Sequence, residues 1–461
     1  MNLLKRTREE LIAHLKDGRI TVSIYGLGHV GVPLTIAWLL AGAKAIGVDI
    51  DEKKVMEINR GKSPVREPGA DEFISRFVSE GKLIATTDGK EASLRSEVKL
   101  IAVPVGLDAK GRADLSALKA AAVSIGEGLK EGDLVILESS VPPGTTRDFL
   151  KPILEEISGL RAEQDFGLAY SPERIAEGRA IKDIVENYPK IVGGIGPESS
   201  RVASVLYSVV SKKGVILMDN AVAAELEKLV EGIYRDVNIA LANEIAKVCR
   251  ALGLDFEEIR MATNSQPYCH LHRAGPGVGG YCIPIYPYFV MSAAKKYGVE
   301  LKLTKIGREI NENMPKEVVR LILDGLNKFG LKKEVVRITL LGLAFRGDVP
   351  DARLSPTYDI IKELLKRGFY GIMVHDPYIE HDEELLKSGV KLTQNLEEAI
   401  DGTDIVVILT DHSDYKKLSV SKLRGLSGKP IVIIDGRNML KVDMQVGDSL
   451  YVGIGRPWIS I

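Results

Sequence analysis

Cysteine is scarce in this chain. Only Cys249, Cys269 and Cys282 occur in 461 residues, with no CxxC pair and no even-numbered set. That excludes a disulfide framework and points to a reducing compartment. An N-terminal secretory pattern is also missing, so the cytoplasm is the expected location. Neither sign of charge is in excess: the formal net charge is −1, and no long basic run occurs. Nucleic acid and anionic membrane surfaces are therefore not expected as main partners. The apolar stretch 20–50 has the length of a membrane span, but glycines at 26, 28, 31, 42 and 47 interrupt it. Its two ends each have strand length, so a buried strand–helix–strand start is expected instead. With 45% hydrophobic and 27% charged residues, the chain should fold into two or three domains with sizeable cores.

Residues 1–19 read as a short charged helix with no assigned role. The β-rich run 20–25 follows, then Gly26-Leu27-Gly28-His29-Val30-Gly31, then a helix over 33–40. A second strand over 45–48 ends in Asp49. GxGxxG alone is weak evidence. Strand, glycines, helix, strand and an acid about 20 residues on together indicate a dinucleotide site. Gly26, Gly28 and Gly31, with His29 and Val30, would let backbone N–H groups meet a pyrophosphate at the helix start. Asp49 would accept hydrogen bonds from the ribose and repel a 2′-phosphate, which favours NAD over NADP.

Further strands are expected at 98–103, 134–137, 166–169 and 191–192, alternating with helices such as 115–129. That alternation implies a parallel doubly wound sheet. Polar clusters sit at the strand ends, at Glu138–Thr146 and Tyr170–Ile175, where such sheets bind ligands. Residues 220–252 contain no proline and one glycine, which predicts a single helix of about 30 residues. Lys228, Arg235 and Asn238 share one of its faces. A second α/β unit begins at 335–341, and Arg346, Arg353 and Arg437 fall at or just after strand ends, suited to gripping phosphates. Between helix and second unit lies Gly275-Pro276-Gly277-Val278-Gly279-Gly280-Tyr281-Cys282-Ile283-Pro284. A thiol on so cramped a loop is either a nucleophile or a buried cysteine after a tight turn. His270 and His272 beside Cys269 form a weak metal pattern, and no metal is expected.

These motifs resemble the UDP-glucose/GDP-mannose dehydrogenase family over roughly residues 20–455. They are GLGHVG (26–31), REPGADE (66–72), ESSVPPGTT (138–146), YSPERIAEG (170–178), GPGVGGYC (275–282), DARLSP (351–356) and DGRN (435–438). The resemblance implies two Rossmann-like doubly wound α/β domains joined by a long central helix and a small helical domain. The expected divisions are 1–210 for NAD, 211–325 for the spine and cysteine loop, and 326–461 for the UDP-sugar. It implies four-electron oxidation of a sugar C6 hydroxymethyl to a carboxylate with two NAD. The stretch Tyr234–Glu244 resembles the branch acting on UDP-N-acetylmannosamine, and GPGVGGYC is shared with UDP-N-acetylglucosamine enzymes.

By the same resemblance Cys282 is the nucleophile and Lys228 the oxyanion stabiliser. Glu173 handles protons through a water held by Ser140, and Arg353 lies near the cofactor phosphates. Glu173, Arg174, Lys228, Arg235, Asn238, Gly279, Gly280, Arg346 and Arg437 would contact the UDP-sugar. A homodimer through the central helix is expected. The sequence departs from the family pattern at Tyr286, usually aspartate, and at Gly232, usually asparagine. A nucleotide-sugar-binding relative without catalysis therefore stands as the alternative to an enzyme.

Overall fold

A computed structural model of the chain, describing residues 1–442 and 448–461, pairs the β-rich runs into two large sheets. The residues form two compact units, 1–231 with 288–299 and 232–287 with 300–461.

The first unit contains β1 (Thr21–Tyr25), β2 (Lys44–Val48), β3 (Leu83–Thr86) and β4 (Val98–Ile101), and a short hairpin of β5 (Gly106–Leu107) and β6 (Ala113–Asp114). It continues with β7 (Leu134–Leu137), β8 (Gly167–Tyr170), β9 (Lys190–Gly194) and β10 (Val215–Leu217). The large sheet runs β10-β9-β8-β7-β4-β1-β2-β3. Its inner strands are buried along their whole length, as parallel strands covered by helices on both faces must be. Two apolar clusters lie on these faces, one built around Trp38 and Leu206, the other around Phe166 and Leu150. The expectation of a wholly parallel sheet needs one correction. β9 runs antiparallel to β8, with Tyr170 opposite Gly193. Between these strands the chain makes only short helical turns, Ala180–Lys182 and Asp183–Asn187, and no full crossover helix. Without such a crossover the chain cannot return to start a parallel neighbour.

In the second unit β11 (Ile338–Leu341), β12 (Ile372–His375), β13 (Lys391–Thr393), β14 (Ile405–Ile408), β15 (Val432–Asp435), β16 (Leu450–Gly453) and β17 (Ile459–Ser460) form one sheet, ordered β13-β12-β11-β14-β15-β16-β17. All its pairs are parallel except β16–β17. The spine is the helix Ala221–Ala251, 31 residues long. Two helices, Lys302–Glu312 and Met314–Phe329, precede the sheet, with Pro315 in the first turn of the latter, where it needs no N–H. The architecture is thus two doubly wound α/β sheets and a long central helix. None of the helices among the described residues is long and apolar enough to cross a membrane.

Candidate active site

The turn after β1 opens the helix Gly31–Leu40. A Cβ on Gly31 would stand 1.7 Å from the Gly26 carbonyl oxygen, so only glycine lets this helix start so close to the turn. A Cβ on Gly28 would meet nothing within 4 Å, which leaves open space beside the turn. The helix start has no side-chain cap and no acidic residue in its first turn. An open backbone cradle at an uncapped helix N-terminus suits a pyrophosphate. Asp49 is buried at the end of β2, where Oδ2 accepts the Leu27 N–H at 2.7 Å and Oδ1 that of Asp51 at 3.0 Å. Lys54 reaches Oδ2 at 3.2 Å, and Ile50 beside it is 97% exposed. His29 contacts Glu177 at 2.7 Å. The residues fit a dinucleotide carrying a free ribose diol.

At the carboxyl edge of the same sheet, Glu138 follows β7 and Glu173 follows β8. Lys190 starts β9, and because that strand is antiparallel its first residue arrives at this edge. Its ammonium donates to Glu138 at 2.9 Å, Glu173 at 3.0 Å and the Pro172 carbonyl at 3.3 Å. The Tyr207 hydroxyl donates to the other oxygen of Glu138. Burial pushes Glu138 up to about 7, with the Glu173 charge adding to the push and Lys190 opposing it. Ser140 is half-buried in the loop 138–146. That loop is anchored by Glu225 on the spine, which accepts from the Gly144 N–H (2.5 Å), the Thr146 N–H (2.7 Å) and the Thr146 hydroxyl (2.6 Å). Burial nevertheless raises Glu225 to about 7. One turn on, Arg174 pairs with Glu231 at 3.0 Å and Glu227 at 4.0 Å, the two acids that flank half-buried Lys228 in sequence. Glu67 of the 66–72 motif accepts from the Gly178 and Ala180 N–H groups, tying two motifs together.

In the second unit Cys282 is exposed, whereas Cys249 is buried. Its loop is packed against protein. A Cβ on Gly279 would lie 2.5 Å from Phe345 Cβ, and one on Gly280 would lie 2.9 Å from the Phe345 ring. The Gly280 N–H donates to the Arg353 carbonyl at 2.8 Å, and the Arg353 guanidinium stacks 5.2 Å from the Tyr281 ring centre. Arg437 donates to the Leu409 carbonyl at 2.8 Å and lies against Gly275. Arg346 sits in the turn after β11. Asn238 is occupied with the main chain, donating to the His270 carbonyl at 2.7 Å and accepting the His272 N–H at 2.8 Å. Arg235 is exposed on the spine, and burial together with its charge lowers His272. A buried chain runs from Asp236 through Asn311 and Asn243 to the Gly275 N–H, which fixes the start of the glycine loop. Among the described residues no grouping of three or more His, Cys, Asp or Glu could hold a metal ion.

Residues 20–211 match the NAD binding domain of the UDP-glucose/GDP-mannose dehydrogenase family, 222–313 its central domain and 339–442 its UDP binding domain. A UDP-N-acetyl-D-mannosamine dehydrogenase of Pyrococcus horikoshii is 36% identical over 94% of this chain and 99% of its own. The chain belongs to the UDP-glucose/GDP-mannose dehydrogenase family. It is an NAD-dependent oxidoreductase acting on nucleotide sugars. An NDP-N-acetyl-D-galactosaminuronic acid dehydrogenase of Ralstonia nicotianae is also 36% identical, over 91% of this chain and 96% of its own. A solved structure of UDP-D-ManNAc dehydrogenase from Pyrococcus horikoshii superposes with a TM-score of 0.86 at 35% identity, covering 95% of this chain and 99% of that one.

In this family member, Ser140, Glu173, Arg174 and Lys228 belong to the first unit. Cys282, Gly279, Gly280, Arg235, Asn238, Arg346, Arg353 and Arg437 belong to the second. Sequence reasoning passed over Lys54, Lys190, Tyr207 and Glu225. Lys54 lies five residues after Asp49, a spacing that places it on the next helix and was available as a signal. Lys190 had none, because its place depends on the reversal of β9.

Proposed function

We propose that this enzyme oxidises the C6 hydroxymethyl of UDP-N-acetyl-D-mannosamine to the carboxylate. NAD, when bound, accepts one hydride at each of two successive oxidations. After the first, the Cys282 thiolate adds to the C6 aldehyde and forms a C–S bond. After the second, C6 is a thioester, and water breaks the C–S bond to release the carboxylate and return the thiolate. Lys228 offsets the negative charge on the C6 oxygen at each stage. Glu173 takes the proton of the attacking water, with the Ser140 hydroxyl holding that water in place. Asp49 and the 26–31 turn hold the cofactor, with Arg353 near its phosphates, and Arg437 and Arg346 grip the UDP diphosphate. Arg174, Arg235, Asn238, Gly279 and Gly280 line the sugar. The functional segments are 1–210, 211–325 and 326–461, and the active form is a cytoplasmic homodimer.

The observation that carries this reading is the exposure of Cys282 at the end of a loop whose glycines are wedged against Phe345, while Cys249 is buried. A thiol held that firmly and left open is suited to attack. The Pyrococcus relative supports the mannosamine epimer, and the Ralstonia relative supports an N-acetylhexosamine more generally.

The test has two parts. Complete conversion of UDP-N-acetylmannosamine should release two NADH per sugar, faster than UDP-N-acetylglucosamine or UDP-glucose. Cys282→Ser should bind NAD and UDP-sugar normally yet lose oxidation of the C6 aldehyde by at least about 100-fold, because a hydroxyl is scarcely ionised near neutral pH. Aldehyde oxidation by that variant at the wild-type rate would remove Cys282 from the mechanism. A ratio of one NADH would remove the four-electron reaction.

A further inference from the structure

Glu138, Glu173, Lys190 and Tyr207 form a closed set inside the first unit. They are 2%, 8%, 4% and 0% exposed, and they come from four elements: the end of β7, the segment after β8, the start of β9 and the helix Pro197–Val210. All three donors of the Lys190 ammonium are spent, on Glu138, Glu173 and the Pro172 carbonyl. Its nitrogen also stands 4.7 Å from the centre of the Tyr207 ring. The guanidinium of Arg174, the next residue after Glu173, is engaged by Glu231, Glu227 and the Pro189 carbonyl. Only the Arg174 backbone N–H reaches Glu173, at 2.9 Å on Oε1. Lys190 is therefore the one cation paired with the Glu173 carboxylate among the described residues.

We propose that Lys190 is a positioning residue for Glu173: its ammonium, pinned by Glu138 and Tyr207, fixes the Glu173 carboxylate and supplies its counter-charge. Two carboxylates and one ammonium leave a surplus negative charge in a dry site, and two buried carboxylates sharing one cation compete for it. Glu138 yields in that competition, since burial favours its protonated form and the Tyr207 hydroxyl still satisfies it. Lys190 is then left to serve Glu173, which it reaches at 3.0 Å. Lys190 itself is held above its ordinary value by the two carboxylates, although burial alone would lower it.

This inference rests on the reading of Glu173 as the proton-handling group, and the experiment separates the two. The pH dependence of kcat/KM is recorded for wild type, Lys190→Met, Lys190→Arg, Glu138→Gln and Glu173→Gln. In parallel, glutamate side-chain carboxyls of the full chain are labelled with ¹³C and titrated by NMR, the Glu173 signal being the one lost in Glu173→Gln. Lys190→Met should move the acid limb and the Glu173 titration up by about one pH unit or more, because the lost partner was a close opposite charge. Glu138→Gln should leave both near wild type, since the amide replaces a group whose uncharged form burial already favours. Lys190→Arg should leave both near wild type. A merely structural Lys190 would lower activity equally at all pH values and leave the Glu173 titration in place, and that result overturns the proposal. If Lys190→Met does not fold, Lys190→Gln, which removes the charge but keeps a polar donor in the site, decides it by the same two readouts. An acid limb that persists in Glu173→Gln would instead refute the role of Glu173, while the NMR titration continues to test Lys190.

Discussion

Arg250 and Arg320 both reach the carboxylate of Glu317, Arg320 donating at 2.7 and 3.0 Å. Burial pushes this carboxyl up, but the hydrogen bonds from Arg320 and Arg250 outweigh it and bring it down to about 2. A carboxyl depressed on folding stabilises the native state above its unfolded value near 4.3, and that contribution is lost as pH falls toward 2. Glu317→Gln should therefore lower Tm at pH 7. The deficit should shrink steadily between about pH 4.5 and pH 2. Thermal melts of both proteins across that range test this, and a constant deficit would show that the ion pairs are not its origin. Asp49 carries a different lesson at the same scale. Its place twenty-one residues after Gly28 predicted a ribose contact, and the structure adds that it also accepts the Leu27 N–H, so the acid shapes the turn that it serves.

Gly232 interrupts the spine helix, where glycine ordinarily costs about 1 kcal/mol relative to alanine. Here a Cβ would stand 2.4 Å from Cδ2 of Tyr286, whose ring is buried over the helix. The Tyr286 N–H in turn donates to the Cys282 carbonyl at 3.0 Å, so this packing bears on the cysteine loop. A side chain at 232 and the ring at 286 cannot share the space. Gly232→Ala should destabilise by about 1–3 kcal/mol from overpacking. In a Tyr286→Ala background the same change should stabilise, because only helix propensity then remains. Urea melts of the four proteins form the double-mutant cycle. Equal effects in both backgrounds would show the positions to be independent. Elements such as this helix and the strands β1, β4 and β7 were legible because each has helical spacing or a short run rich in apolar residues. The direction of β9 was not, since a five-residue strand reads alike in either direction and its partner is chosen by what the connection allows.

Along the spine, Leu226, Val230, Tyr234, Leu241, Val248 and Leu252 are 40–68% exposed at spacings of four and seven, so they share one face. A stripe of large apolar side chains about 39 Å long, at 1.5 Å per residue, is costly to leave in water and matches itself across a two-fold axis. The proposed homodimer would cover it. Leu241→Glu with Val248→Glu should convert the protein to monomers at micromolar concentration in sedimentation velocity, and a wild type already monomeric there would refute the arrangement.

The class of protein followed from sequence alone, because its motifs are local. A glycine turn, an acid at the next strand end and a glycine loop before a cysteine each specify their geometry over a few residues. Asn238 and the loop glycines show where that reach ends. Their backbone and amide groups are engaged by His270, His272, Arg353 and Phe345, partners about 30 to 75 positions away in the chain. Lys190, Tyr207 and Glu138 meet only after β9 reverses. Burial of charge has no local signature, since it is set by which distant elements exclude water from the same place, and that was decided by tertiary structure.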